Sequence, residues 1–237
     1  SEARLKNTYF FSDVNVSHEE TNIPNRRNLK IALKEGKTAN ISFGGGFSSL
    51  EKFGLFVEFS QSNFDAFNYR SAFRGGGQKF KIRASLAQKS NEIMISFEEP
   101  WVCQRELAIG FDVYRMESHY VSDFYNEMRV GFDVYMRKWF WDMIEGRISY
   151  GVDHVNLNNM KSNAPSYLKD EGGKRTVCKW NVTFTYDTRD NLLVPHEGTR
   201  LQLITEVAGG PAGGPTKFVR VEGRGGRWWS TFETLDQ

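Results

Sequence analysis

Hydrophobic and polar residues alternate with period two along most of this chain, which predicts strands rather than helices. Cys178, Trp180, Val182, Phe184 and Tyr186 share one face of a predicted strand, with Lys179, Asn181, Thr183, Thr185 and Asp187 on the other. The pattern recurs at Phe80, Ile82, Ala84 and Leu86 against Lys79, Lys81, Arg83 and Ser85, and at Ile93, Ile95 and Phe97 against Ser96 and Glu98. Next come Leu107, Ile109, Phe111 and Val113 against Ala108, Gly110, Asp112 and Tyr114. Met128, Val130, Phe132, Val134 and Met136 face away from Arg129, Gly131, Asp133 and Tyr135, and Ile144, Ile148, Tyr150 and Val152 from Glu145, Arg147, Ser149 and Asp153. Ile41, Phe43, Gly45 and Phe47, then Leu55, Val57 and Phe59, precede these, while Leu201, Leu203 and Val207, then Val219 and Val221, follow. The sum is an all-β chain of about ten strands of roughly 8 to 13 residues.

Alternation alone fits two architectures. In a soluble antiparallel sandwich the apolar faces meet in a core; in a transmembrane barrel they face lipid while the polar faces line the lumen. The polar faces mix glycine with charge, and several strands are long enough to cross a bilayer at about 45°, which favours the barrel. The chain has 237 residues, is 39 % hydrophobic and carries a formal charge of +2, so no basic nucleic-acid footprint is present. Mean hydropathy of −0.53 and the lack of roughly 18 unbroken apolar residues exclude a helical span but not a barrel. Aromatics at 14 % and 22 glycines against 6 prolines suit strands, turns and bulges.

Up-and-down strands would place the links on two rims. One holds Ser48 to Lys52, Ser90-Asn91, Glu117 to Asp123, Asn156 to Lys174 and Gly209 to Pro215. The other holds Asn63 to Gly77, Glu99 to Gln104, Lys138 to Trp141 and Arg189 to Gly198, and its Trp101, Trp139 and Trp141 suit an interfacial girdle. Cys103 and Cys178 then lie at opposite rims, so no disulfide is expected between them. Residues 1–37 differ: Glu2 to Phe11 reads as the end of a helix, and short strands are predicted around Val14 to Val16 and Asn28 to Leu33, with turn-rich Glu20 to Arg27 between them. Two strands and one helical turn are too little for a core, which points to the tail of a larger domain.

Chemical motifs are weak. Gly44-Gly45-Gly46 lacks the Lys-Ser/Thr of a phosphate cradle; it reads as a strand short of side-chain packing and easy to unpair. Gly75-Gly76-Gly77 and Gly209 to Gly214 read as turns. Glu98-Glu99 and the pair Asp187 and Asp190 read as strand-end charges and turn caps rather than acid/base groups, and Ser118-His119 and Asp153-His154 are too weakly specified to nominate. His18, His119, His154 and His196 are too scattered for a metal site. The formal glycosylation signals at Asn40 and Asn181 fall in predicted strands and read as chance.

The run Leu5, Phe10-Phe11, Val14, Leu29, Ile31, Leu33, Glu35-Gly36, then Ile41-Ser42-Phe43-Gly44-Gly45-Gly46-Phe47-Ser48-Ser49, Phe53-Gly54 and Ser62-Asn63-Phe64 resembles the BamA family of outer-membrane β-barrel assembly factors. Phe97-Glu98-Glu99-Pro100-Trp101 and Tyr186-Asp187-Thr188-Arg189-Asp190-Asn191, with Pro195 and Gly198, are similar to two of that family's turns. The resemblance implies that residues 1–37 end the last periplasmic POTRA domain, an α/β unit, and that 38–237 are the first ten strands of a sixteen-stranded barrel. It implies a piece of a longer protein, without the loop and the last strand that close the barrel.

The resemblance also implies a mechanism. The weak seam at the first strand, Thr38, Ala39, Asn40, Ile41, Ser42, Phe43, Gly44, Gly45, Gly46 and Phe47, would receive the terminal strand of an unfolded outer-membrane protein while a thin belt perturbs the bilayer. Implied partners are unfolded outer-membrane β-barrel proteins, accessory assembly lipoproteins and the lipid bilayer of the bacterial outer membrane, with no nucleic acid, cofactor or enzymatic step. Alternatives are a TamA-like or two-partner secretion transporter of the same plan, or a passive porin-like channel lined by Arg83, Arg129, Glu145, Arg147 and Glu206.

Overall fold

The structure, a computed structural model, describes residues 11–20, 27–119, 121–170, 172–191 and 195–230. Strands β1 (Phe11–Glu20) and β2 (Arg27–Glu35) pair antiparallel as a separate two-stranded sheet, with Val14 opposite Leu33 and Val16 opposite Ile31. The short link Gly36 to Thr38 leads into a second, 10-stranded sheet. Its members are β3 (Ala39–Ser48), β4 (Lys52–Phe64), β5 (Gln78–Ala87), β6 (Ser90–Glu99), β7 (Leu107–Ser118), β8 (Asn126–Phe140), β9 (Ile144–Asn158), β10 (Gly173–Asp187), β11 (Gly198–Ala208) and β12 (Phe218–Trp228). Each pairs antiparallel with its neighbours in sequence, so β3 and β12 are the edges.

All ten strands read from the alternation are present, and the sheet is a single layer. Its apolar face is bare: Phe43 is 85 % exposed, Phe47 77 % and Leu55 55 %. A sandwich would bury that face, so the sandwich is excluded for the described residues; an uncovered apolar surface of this extent suits lipid. The opposite face carries Glu58, Arg83, Glu98, Asp112, Asp133, Arg137, Arg147, Asp153 and Lys179 among glycines and small polar residues. A small apolar cluster of Val155, Leu157, Val177 and Ala208, backed by Tyr125, closes one end of that face.

One rim holds the links 49–51, 88–89, 119–125, 159–172 and 209–217, the fourth with a short helix α1 (Ser166–Asp170); the other holds 65–77, 100–106, 141–143 and 188–197. Two boundaries shift from the sequence reading. The tight turn is Gln88-Lys89 rather than Ser90-Asn91, because Ala87 and Ser90 already face each other across the hairpin. Phe11, expected at a helix end, opposes Glu35 in β1, where pairing outweighs local propensity; the rest of that helix, residues 2–10, lies outside the described residues. Cys103 and Cys178 are both free thiols, the first exposed in a rim turn, the second in β10 near Gly214.

Candidate strand-pairing edge

All the seam residues from Ala39 to Phe47 fall in β3, while Thr38 is the hinge just before it. β3 pairs with β4 from Ala39 opposite Gln61 to Ser48 opposite Lys52, and among the described residues nothing pairs with its other side. In an antiparallel strand alternate residues turn both N–H and C=O to the same side, so a strand of 10 residues offers about five such residues to a newcomer. Ile41, Phe43 and Phe47 line the bare apolar face. Ser42 opposes Glu58 on the polar face, and Asn40 Nδ2 donates to Ser42 Oγ at 2.8 Å along the strand.

β3 contains no charged residue, and its three central glycines leave it little to grip with. The grip comes from β4. A Cβ on Gly44 would meet the Phe56 ring at 2.7 Å, and one on Gly45 would meet Leu55 Cδ2 at 2.8 Å. Phe56 and Leu55 therefore lie over the glycines from opposite faces of the sheet. Beyond them Gly46 is open, with nothing within 4 Å. The base of the strand is pinned: Thr38 O accepts Ser62 N–H at 2.9 Å and Ser62 Oγ at 3.2 Å, and Gln61 Nε2 donates to Thr38 Oγ1 at 3.2 Å. A hollow of about 580 Å³ beside it, on the polar side, is lined by Thr38, Asn40, Ser60, Lys79, Lys81 and Arg137 among others.

Farther along, the polar face is filled. Tyr135 of β8 lies across Gly110 of β7, Tyr114 of β7 across Gly131 of β8, and Asp133 of β8 across Gly151 of β9. Each large side chain occupies the notch left by a glycine directly opposite. Tyr135 Oη donates to Glu98 at 3.0 Å, and Arg147 sits over the Tyr135 ring at 3.8 Å. Arg137 joins Glu98 at 2.7 Å to Glu145 at 3.0 Å, spanning β6, β8 and β9. Tyr114 donates to Asp153, which also pairs with Lys179 of β10 at 2.8 Å.

Sequence reasoning picked out the glycine run but missed the Thr38 pin and the tyrosine-in-glycine locks. Both depend on register, which brings residues dozens of positions apart face to face. The residues weighed as channel lining do face the polar side, but each is paired: Arg83 with Glu58 at 3.5 Å, Arg129 with Glu127 at 2.7 Å, Glu145 with Arg137 at 3.0 Å, Arg147 with Asp112 at 3.4 Å and Glu206 with Arg220 at 3.5 Å. Among the described residues no group of three His, Cys, Asp or Glu is arranged to hold a metal ion.

At the rim of links 65–77 and 188–197, Asp190 folds the turn onto itself. Its carboxylate accepts the N–H groups of His196 at 2.9 Å and Glu197 at 3.1 Å. Chiefly through the Glu197 and His196 amides, these bonds hold its carboxyl at about 2, below the usual carboxylate range.

The model of the Omp85 superfamily domain matches residues 72–237. The chain is 26% identical over 220 residues to the outer membrane protein assembly factor BamA of Nitratidesulfovibrio vulgaris (strain Hildenborough), across 93% of this chain and 26% of that protein. In three dimensions it is similar to BamA from Haemophilus ducreyi lacking POTRA domains 1-3, with a TM-score of 0.69 and 16% identity over 93% of this chain and 43% of that one. The chain thus spans about a quarter of the curated relative and under half of the solved one.

Proposed function

Because this chain belongs to the Omp85 superfamily, we propose that it forms the first ten strands of an outer-membrane assembly barrel, preceded by the end of a periplasmic POTRA domain in residues 1–37. Its role is to fold and insert other β-barrel proteins by offering β3 as a template. The observation that carries this reading is the contrast between β3, uncharged and glycine-rich, its Gly44 and Gly45 covered only by side chains of β4, and the interlocked wall from β6 to β10. An incoming strand gains a ladder of backbone hydrogen bonds at β3, each worth about 1 kcal/mol net. The strand it displaces loses little, because the side chains that hold Gly44 and Gly45 belong to β4.

Strand length supports a locally thinned bilayer. At a tilt of about 45° and ~3.4 Å per residue, β3 with its 10 residues is about 24 Å tall, while β8, β9 and β10 with 15 each reach about 36 Å. The wall is therefore lower on the side of the proposed entry point, where β3, β5 and β6 have 10 residues each, than over β8 to β10. Unfolded β-barrel clients, accessory lipoproteins and the outer-membrane bilayer are the partners in this reading, and no covalent step or cofactor takes part.

The test is cross-linking in the full-length protein, with Ser42→Cys and Gly46→Cys, the latter at a position with nothing within 4 Å, paired against cysteines in the terminal strand of a stalled client. Cross-links at alternate client positions, following one register, support templating. Cross-links that ignore register, or that form equally well with cysteines in β8, overturn it. A TamA-like or two-partner secretion transporter would give the same edge and a different client range. A passive channel would instead show steady conductance and no client dependence.

A further inference from the structure

The 13-residue link from β4 to β5, residues 65–77, is long for a rim turn and is a folded object in its own right. Asp65 N–H donates to Phe73 O at 2.9 Å, Phe73 N–H to Asn68 O at 3.0 Å and Gly75 N–H to Asn63 O at 3.0 Å. Asn68 Oδ1 caps a single 3-10 turn, Tyr69–Ser71, and Ser71 Oγ donates to Arg74 O at 2.7 Å. Both ends are tied to the strands: Ala66 N–H donates to Gln78 Oε1 and Gly77 N–H to Asn63 Oδ1, each at 2.9 Å. Phe73 holds a left-handed backbone, φ 58°, a conformation a bulky residue keeps only when its surroundings impose it.

This fixed frame presents Phe67, 90 % exposed, and Tyr69, 68 % exposed, together with Arg70 and Arg74. The loop carries Arg70 and Arg74 against a single carboxylate, Asp65, which accepts the Phe67 N–H at 3.1 Å, so its net charge is positive. The loop is also continuous with the apolar wall. Phe73 stacks on Phe64 at 5.8 Å, Phe64 on Phe80 at 4.9 Å and edge-on to Phe97 at 6.3 Å, and the row runs on through Phe111 to Phe132 on β8. Trp101 and Trp141, 56 % and 83 % exposed, stand on the same rim.

We propose that residues 65–77 form a preformed anchor that seats Phe67 and Tyr69 in the headgroup layer of an anionic bilayer, with Arg70 and Arg74 against lipid phosphates, beside the base of β3. Aromatic rings with an adjacent cation are the chemistry that this layer selects. Asn63, which holds the loop, follows Ser62, which pins Thr38, so lipid gripped at this loop is held next to the strand-pairing edge. The proposal rests on the membrane-barrel reading.

The test uses the full-length protein in a cysteine-free background, reconstituted in phosphatidylcholine vesicles with and without phosphatidylglycerol. A nitroxide is placed at Phe67→Cys, at Val57→Cys as the lipid-facing reference and at Asn163→Cys as the aqueous one. The expected result with phosphatidylglycerol is an oxygen-to-nickel-chelate accessibility ratio nearer that of Val57→Cys. That ratio should fall toward the aqueous reference without the anionic lipid or with Arg70→Ala/Arg74→Ala. A ratio equal to that of Asn163→Cys overturns the proposal, as does shielding from both reagents, which would mean docking on protein. Depth that is indifferent to anionic lipid overturns it too. Should Phe67→Cys fail to fold, Tyr69→Cys gives the same readout. Client folding is assayed in the same vesicles: a seated loop without client folding overturns the assembly reading and leaves the anchor standing.

Discussion

The β3–β4 hairpin and the β7–β9 wall are both antiparallel, both rich in glycine and both bare on their apolar face, yet they are held in opposite ways. On the polar face of the wall Gly110 and Gly131 are notches filled by the strand opposite, and the filling side chain goes on to bond a third strand: Tyr135 crosses Gly110 to reach Glu98, and Tyr114 crosses Gly131 to reach Asp153. In the hairpin Gly44 and Gly45 are filled by Phe56 and Leu55, apolar groups that make no hydrogen bond, the Phe56 ring meeting only the Arg83 guanidinium of β5 at 4.9 Å, and Gly46 is not filled at all. Glycine therefore does not by itself make a strand weak. What decides is whether the side chain lying over it is hydrogen-bonded into a further strand.

That contrast can be broken from its strong side first. Gly131→Val drives a Cβ into the Tyr114 ring and the Asp153 carboxylate, both already committed to other partners. A loss of about 3 kcal/mol is expected in urea unfolding of the full-length protein in vesicles. Arg137→Ala takes from Glu145, 22% exposed, its Arg137 partner and leaves Glu98, 12% exposed, with only Tyr135 and Lys79, and is expected to cost about 2 kcal/mol. Tyr114→Phe removes one hydrogen bond and leaves Asp153 its Lys179 partner, a loss of about 1 kcal/mol by the same measurement.

On the weak side the sign should reverse. Gly46→Val meets nothing within 4 Å and replaces a poor strand former with a good one, so stability should rise by about 0.5 kcal/mol. Client folding should fall at the same time, because a stiffer β3 unpairs less readily. If stability and client folding instead rise together at Gly46, a loosely held β3 is not what the client uses.

The smallest effect is at the rim. Asp190 is depressed to about 2 in the folded turn against an ordinary value near 3.9, so its contribution is present above the ordinary value and is lost as pH falls through the folded one. Hydrogen exchange at the His196 and Glu197 amides, taken relative to the intrinsic rate at each pH, should therefore stay slow at neutral pH and quicken only between about pH 4 and pH 2. In Asp190→Ala it should be fast throughout.

Much of this was legible beforehand. Strict alternation gave all ten strands, their faces and their up-and-down order, because a side chain's face depends only on the parity of its position. The uncharged glycine run at 44–46 was legible for the same local reason. Tight boundaries were harder, since Gln88-Lys89 and Ser90-Asn91 are both acceptable turn pairs and the register of β5 on β6 chose between them. The loop at 65–77 read only as a long turn, because its shape comes from bonds to Asn63 and Gln78 at its ends.

By itself, then, the sequence determined the strands, the sidedness of the regularly alternating strand residues and the lack of charge in β3, each a property of neighbours along the chain; the register shift between Gln61 and Phe64 breaks that parity. Tertiary structure decided which glycine faces which ring, which carboxylate Arg137 bridges, and that Thr38 is pinned by Gln61 and Ser62. The physical reason is that a sheet's side-chain contacts run across strands. Register, summed over many weak pairs, sets those partners, and no single stretch of sequence contains both halves of any of them.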